Sequence, residues 1–128
     1  MIVVDTSVWI DYFRKSNPVL KKELDTLILG DHVLLPVIVK LEILTGLSKN
    51  NFIKIQSYLD AFPEAKPTDH TWLHVARAIQ TGINHGIRFS VSDLMIGILA
   101  VENKASVWSL DKDFHDMAKL GLIAVKKS

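Results

Sequence analysis

Short apolar runs separated by longer stretches of helical period constrain this chain most. IVV (2–4), HVLLP (32–36) and ASVWSL (105–110) are too short to be helices, and the segments after them carry apolar residues every three or four positions. Such alternation predicts right-handed βα units: strands lie side by side in a parallel sheet and helices cover it. The expected strands are 2–5, 32–36, an edge strand within the Pro-punctuated AFPEAKP (61–67), 105–110 and a closing LIAV (122–125). The expected helices are Thr6 to about Arg14, Val19 to Leu29, Pro36 to about Leu47 and Lys49 to about Leu59. A fifth is capped by Thr68 or Asp69 and ends at His85-Gly86; a sixth runs from Ser90 to about Asn103, and a short seventh lies within DKDFHDMAKLG.

At 128 residues, nearly half of them apolar, the chain is expected to form one domain spanning 1–128. The absence of cysteine excludes disulfides, thiol nucleophiles and thiolate metal sites. A formal net charge of +1 excludes a global basic field, so any polyanion site must be local. No segment approaches the roughly 20 apolar residues of a membrane span, and IVV lacks the basic flank and length of a signal sequence. A cytoplasmic location, with no membrane partner, is the expectation.

Four acids interrupt this pattern. Asp5 closes the first strand, and Asp111 closes ASVWSL in the same way. Each is suited to cap the helix that follows, a role worth about 1 kcal/mol. Asp93 stands three residues after Ser90, which matches a capping box. Glu42 lies in VIVKLEILTGL, apolar on almost every face, and its neighbours Ile38, Val39, Thr45 and Gly46 are not cationic. A carboxylate buried there without a partner would be costly; exposure at the helix edge, or a partner from elsewhere, is the other reading. Asp113, in the same turn as Asp111, reads as solvated. Together the acids map to the carboxyl ends of strands or to the helices after them, where open parallel sheets form their sites. Acids converging there need compensating positive charge. Oxygen-only ligation favours Mg²⁺ or Mn²⁺ over zinc.

VDTSVWIDYF, LEILTGL and SVSDLMIGILAVENKASVWSLDKDF resemble, in order and nearly end to end, the strand and helix motifs of the PIN domain family, and within it the VapC toxins of toxin–antitoxin pairs. Leu41 stands where a small residue is common, and Ser109 where Thr is commoner. The resemblance implies a three-layer α/β/α domain with a central parallel sheet of four to five strands. It also implies a Mg²⁺- or Mn²⁺-dependent endoribonuclease whose acidic quartet falls on Asp5, Glu42, Asp93 and Asp111. Asp5 would be the central ligand, Asp93 and Asp111 would hold an ion, and Glu42 would ligate or orient the attacking water. Thr6, Ser7, Ser109 and Asp113 would support them. An RNA substrate, a small cognate antitoxin protein and a homodimer follow from the same resemblance.

Other features are less specific. Arg14, Lys15, Arg88 and Lys112 are near the acids in sequence and are candidates for RNA contact, although Lys and Arg mostly decorate solvated faces. Trp9 and Trp108 read as core and, with Tyr12 and Phe13, are able to stack bases. VLKKELDTLIL carries an apolar stripe suited either to internal packing or to an interface. His70 and His74 have metal-ligand spacing but no evident third ligand. A dehalogenase-type phosphatase is disfavoured because Ser7 occupies the place of its second Asp. An RNA-processing nuclease outside a toxin pair, and a catalytically silent binding module, remain the alternatives.

Overall fold

The computed structural model describes residues 1–127. β1 (Ile2–Val4) passes through Asp5 into α1 (Thr6–Arg14), and α2 (Pro18–Leu29) follows. β2 (Val33–Pro36) leads into α3 (Val37–Thr45) and α4 (Lys49–Leu59). β3 (Glu64–Ala65) precedes α5 (Asp69–Asn84) and α6 (Val91–Glu102). β4 (Ser106–Trp108) and α7 (Lys112–Lys119) complete the fold. The helix bounds lie within two residues of those expected, because caps and stops are local. Asn17 accepts from Leu20 N, Thr68 and Thr71 form a full capping box, and Gly86 takes φ 76° just past α5.

The four strands are parallel in the order β3-β2-β1-β4. β1 is therefore central: Val3 faces both Leu34 and Val107. Its Val3 and Val4 are fully buried, as expected of a strand covered on both faces. LIAV does not form the fifth strand expected of it. It adds one bridge, Val107 to Val125, held by Val107 N donating to Ala124 O and Lys126 N to Val107 O. Gly121 at φ 75° turns the chain immediately before it, and the segment leaves the sheet edge after that single bridge. The sheet with its flanking helices is the three-layer α/β/α arrangement.

α6 runs through the centre of the protein, with every residue from Leu94 to Ala100 buried. Gly97 makes this possible, since a Cβ there would stand 2.9 Å from Ile123. The α2 stripe packs inward: Leu20 and Leu24 are buried, and Leu27 and Ile28 rest on the core. Trp9 is fully buried among Tyr12, Phe13 and Phe62, which excludes it from base stacking. No helix among the described residues is long and apolar enough to cross a membrane.

Candidate active site

Parallel strands in adjacent positions bring their carboxyl ends to one edge of the sheet, and the acids follow from that. Asp5, the residue after β1, is 5% exposed and caps α1. Its Oδ2 accepts from Ser7 Oγ at 2.8 Å, from Ser109 Oγ at 2.8 Å and from Ser7 N at 3.4 Å. Ser7 Oγ also accepts from Leu110 N at 3.1 Å, and Ser109 Oγ accepts from Asp111 N at 2.9 Å. Two hydroxyls thus lace the loop after β4 to the start of α1. Among the described residues no donor reaches Asp5 Oδ1, so the cap leaves one oxygen for another partner.

Glu42 finds its partner from elsewhere. It is half-buried on α3, and Thr6 Oγ1 donates to its Oε1 at 2.7 Å. Leu41 beside it is 55% exposed, so its bulk lies outside the site. Lys40, the cation nearest in sequence, serves Asp60 and Glu64 instead.

Asp93, Asp111 and Asp113 form a tighter group. Each offers a carboxylate oxygen, and the three oxygens lie within 4.8 Å of one another. Ser90 Oγ accepts from Asp93 N at 3.1 Å, so the cap of α6 forms through the serine. Burial pushes the Asp93 carboxyl up to about 6, and the charges of Asp5, Asp111 and Asp113 push the same way, against the Ser90 hydroxyl. Asp113, expected to be solvated, is half-buried and belongs to this group. Asp111 caps α7 by accepting from Asp113 N at 2.9 Å, which curls the Asp-x-Asp turn so that both acids share one side. Lys112 between them turns away, its ammonium 2.8 Å from Asp116.

The basic candidates divide. Arg14 and Lys15 lie at the far end of α1, about 14 Å along the helix from Asp5 at 1.5 Å per residue; proximity in sequence did not place them at the acids. They line a groove of about 630 Å³ with Ile43, Leu47, Lys54 and Tyr58. Arg88 and Lys112 are exposed on segments adjoining Asp93 and Asp111. Lys126 covers the ring of Trp108 at 5.0 Å.

The donor set fits a hard divalent cation. Asp93, Asp111 and Asp113 supply oxygen ligands only, and Asp5 adds its charge to those that act on Asp93, whose carboxyl is raised first by burial. The sequence matches the PIN domain model over residues 2–120. The chain belongs to the PIN domain family. Among curated relatives it is similar to Ribonuclease VapC11 of Mycobacterium tuberculosis, 25% identical over 126 residues, covering 94% of this chain and 93% of the relative. VapC ribonuclease Mb1587 of Mycobacterium bovis gives the same identity and coverage. Among solved structures, the fold of this PIN domain matches a chain of VapBC2 from Rickettsia felis bound to a promoter DNA fragment. The TM-score is 0.81 at 16% identity, with 98% of each chain covered. A chain of the FitAcB structure from Neisseria gonorrhoeae matches with TM-score 0.74 at 22% identity, covering 99% of this chain and 97% of that one.

Proposed function

We propose that residues 1–128 form one nuclease domain, a Mg²⁺- or Mn²⁺-dependent endoribonuclease that serves as the toxin of a VapBC-type toxin–antitoxin pair. The observation that carries this reading is the acidic group at the strand ends: Asp93, Asp111 and Asp113 with oxygens within 4.8 Å, and Asp5 beside them. Asp5, Asp93, Asp111 and Asp113 would hold the cation, with Glu42 close by. A divalent cation bound there supplies charge neutralisation for a phosphodiester and acidifies water.

The chain's own residues do the rest. Ser7 and Ser109 fix the Asp5 carboxylate through Oδ2, so that Oδ1 keeps one orientation. Glu42, oriented by Thr6, accepts the proton of the attacking water or holds that water in line. Arg88 and Lys112 offer cationic contacts to flanking phosphates. Lys112 does so by exchanging its solvent-screened pair with Asp116.

The similar structures support an antitoxin as partner, since the Klebsiella pneumoniae neighbour, at TM-score 0.78, is a toxin–antitoxin complex. The groove between α1, α3 and α4, apolar in its floor and edged by Arg14, Lys15 and Lys54, suits an amphipathic segment carrying acids. The homodimer implied by the sequence resemblance is part of the same reading.

The test is RNA cleavage by purified, antitoxin-free protein with Mg²⁺ or Mn²⁺ and an EDTA control. Cleavage that EDTA stops, and that Asp5→Asn and Asp93→Asn each abolish in folded protein, supports the reading. Full activity in either variant overturns the site, and no cleavage at all favours a silent binding module. Co-purification with the product of the adjacent reading frame separates the toxin role from RNA processing.

A further inference from the structure

The histidine pair at the start of α5 acquires in three dimensions the third ligand that the sequence around it lacks. Glu102, the last residue of α6, projects between the two helices. His70, His74 and Glu102 each offer a ligand atom, all within 4.8 Å of one another. Glu102 stands nine residues beyond Asp93 on the same helix, about 14 Å along its axis. The acidic group and the histidine group therefore occupy opposite ends of α6 and share no residue.

The carboxylate is held in advance. The fully buried Thr71 donates its hydroxyl to Glu102 Oε1 at 2.6 Å, and Thr71 Oγ1 is itself fixed by accepting from Thr68 N at 2.9 Å. This leaves Oε2 facing His74 Nδ1 at 3.3 Å. That distance is long for a charge-assisted hydrogen bond, which closes to about 2.7–2.9 Å. It equals the separation of two donors about 2.0–2.1 Å from a tetrahedral centre, roughly 3.3 Å. His70, one turn before His74 on the same face and exposed, has only its own side chain to rotate to join them.

We infer that His70, His74 and Glu102 form a binding site for a borderline transition-metal cation of the Zn²⁺ class, with Thr71 as the residue that orients the carboxylate. Two imidazoles and one carboxylate are a zinc donor set, whereas the oxygen-only group at the other end of α6 suits Mg²⁺ or Mn²⁺. The chain thus sorts two classes of cation to the two ends of one buried helix. A cation at the histidine end ties the first turn of α5 to the last turn of α6. The exposed His70 leaves the group open to solvent on its side.

The test is calorimetric titration of untagged protein with Zn²⁺, in an Asp93→Asn/Asp111→Asn background that removes the acidic site. One equivalent should bind, His70→Ala and His74→Ala should each abolish stoichiometric binding, and Thr71→Val should weaken it about 10-fold or more. Visible absorption of Co²⁺ added to the wild-type chain provides a second reading, independent of the folding of the double variant. Intense bands of four-coordinate Co²⁺ should appear and vanish in His74→Ala. No stoichiometric Zn²⁺ binding, binding unchanged in both histidine variants, or only the weak spectrum of six-coordinate Co²⁺ overturns the site. None of these readouts depends on RNA cleavage, so failure here leaves the nuclease reading standing, and the reverse holds too.

Discussion

Ser109 donates its hydroxyl to Asp5 Oδ2 at 2.8 Å across 104 residues of sequence, and Ser109 Oγ itself accepts from Asp111 N at 2.9 Å. One small side chain therefore orients two acids from two different strand ends. Ser109→Ala should lower metal-dependent RNA cleavage by about 10- to 100-fold while leaving the circular dichroism spectrum unchanged, and Ser109→Thr should restore most of the activity. A fully active alanine variant would show that Ser7 alone holds Asp5.

The Thr6–Glu42 bond, 2.7 Å long, joins α1 to α3. Thr6→Val keeps the shape and removes the donor, leaving a half-buried carboxylate unpaired at a cost of about 1–3 kcal/mol. Chemical denaturation should show that loss for Thr6→Val and a smaller one for Thr6→Ser. If Glu42 acts on the attacking water, the rate of cleavage should fall in Glu42→Gln with little change in RNA affinity.

Asp93 predicts a pH dependence of the metal-free protein. Its carboxyl is pushed up to about 6 in the fold from an ordinary 3.8, so the folded state holds the proton more tightly than the unfolded chain. The stability this contributes is complete below about pH 4 and is lost as the pH rises through about 6. Thermal melts with EDTA should show this decline, and Asp93→Asn should remove it. Mn²⁺ should raise the melting temperature more at pH 7.5 than at pH 4.5, where protons compete for the carboxylate. An identical Mn²⁺ effect at both pH values would be inconsistent with binding at Asp93.

Gly82 fixes the approach of α5 to the segment that leads into α6. A Cβ there would lie 2.8 Å from Ile87 O and 2.9 Å from the Phe89 ring. Backbone cannot yield as a flexible side chain does, so Gly82→Ala should cost about 1–3 kcal/mol despite the better helix propensity of alanine. Displacement of residues 87–89 would also move Ser90 and Asp93, so cleavage should fall together with the melting temperature.

The helices were legible in the sequence because their causes lie within four residues. Asn17, Thr68, Ser90 and Asp111 each satisfy amide groups two or three positions on, and Gly86 ends α5 by its own conformation. Apolar period then told which faces turn inward, as at Leu20 and Leu24. The PIN motifs of the sequence likewise pointed to Asp5, Glu42, Asp93 and Asp111; the structure groups Asp93 and Asp111 with Asp113 and ties Glu42 to Thr6.

Long-range packing decided the rest. The order β3-β2-β1-β4 sets Asp5 beside Ser109 and Asp111, and no local pattern encodes which strands become neighbours. The sense of a helix on its strand carries Arg14 and Lys15 away from the acids they adjoin in sequence. The curl of the Asp111 cap turns Asp113 toward Asp93, whereas sequence alone left it in solvent. Glu102 meets His74 only because α5 and α6 pack together, 28 residues apart at that contact. Sequence determines the pieces through bonds that close within one turn; their convergence into sites depends on contacts that exist only after the sheet has chosen its order.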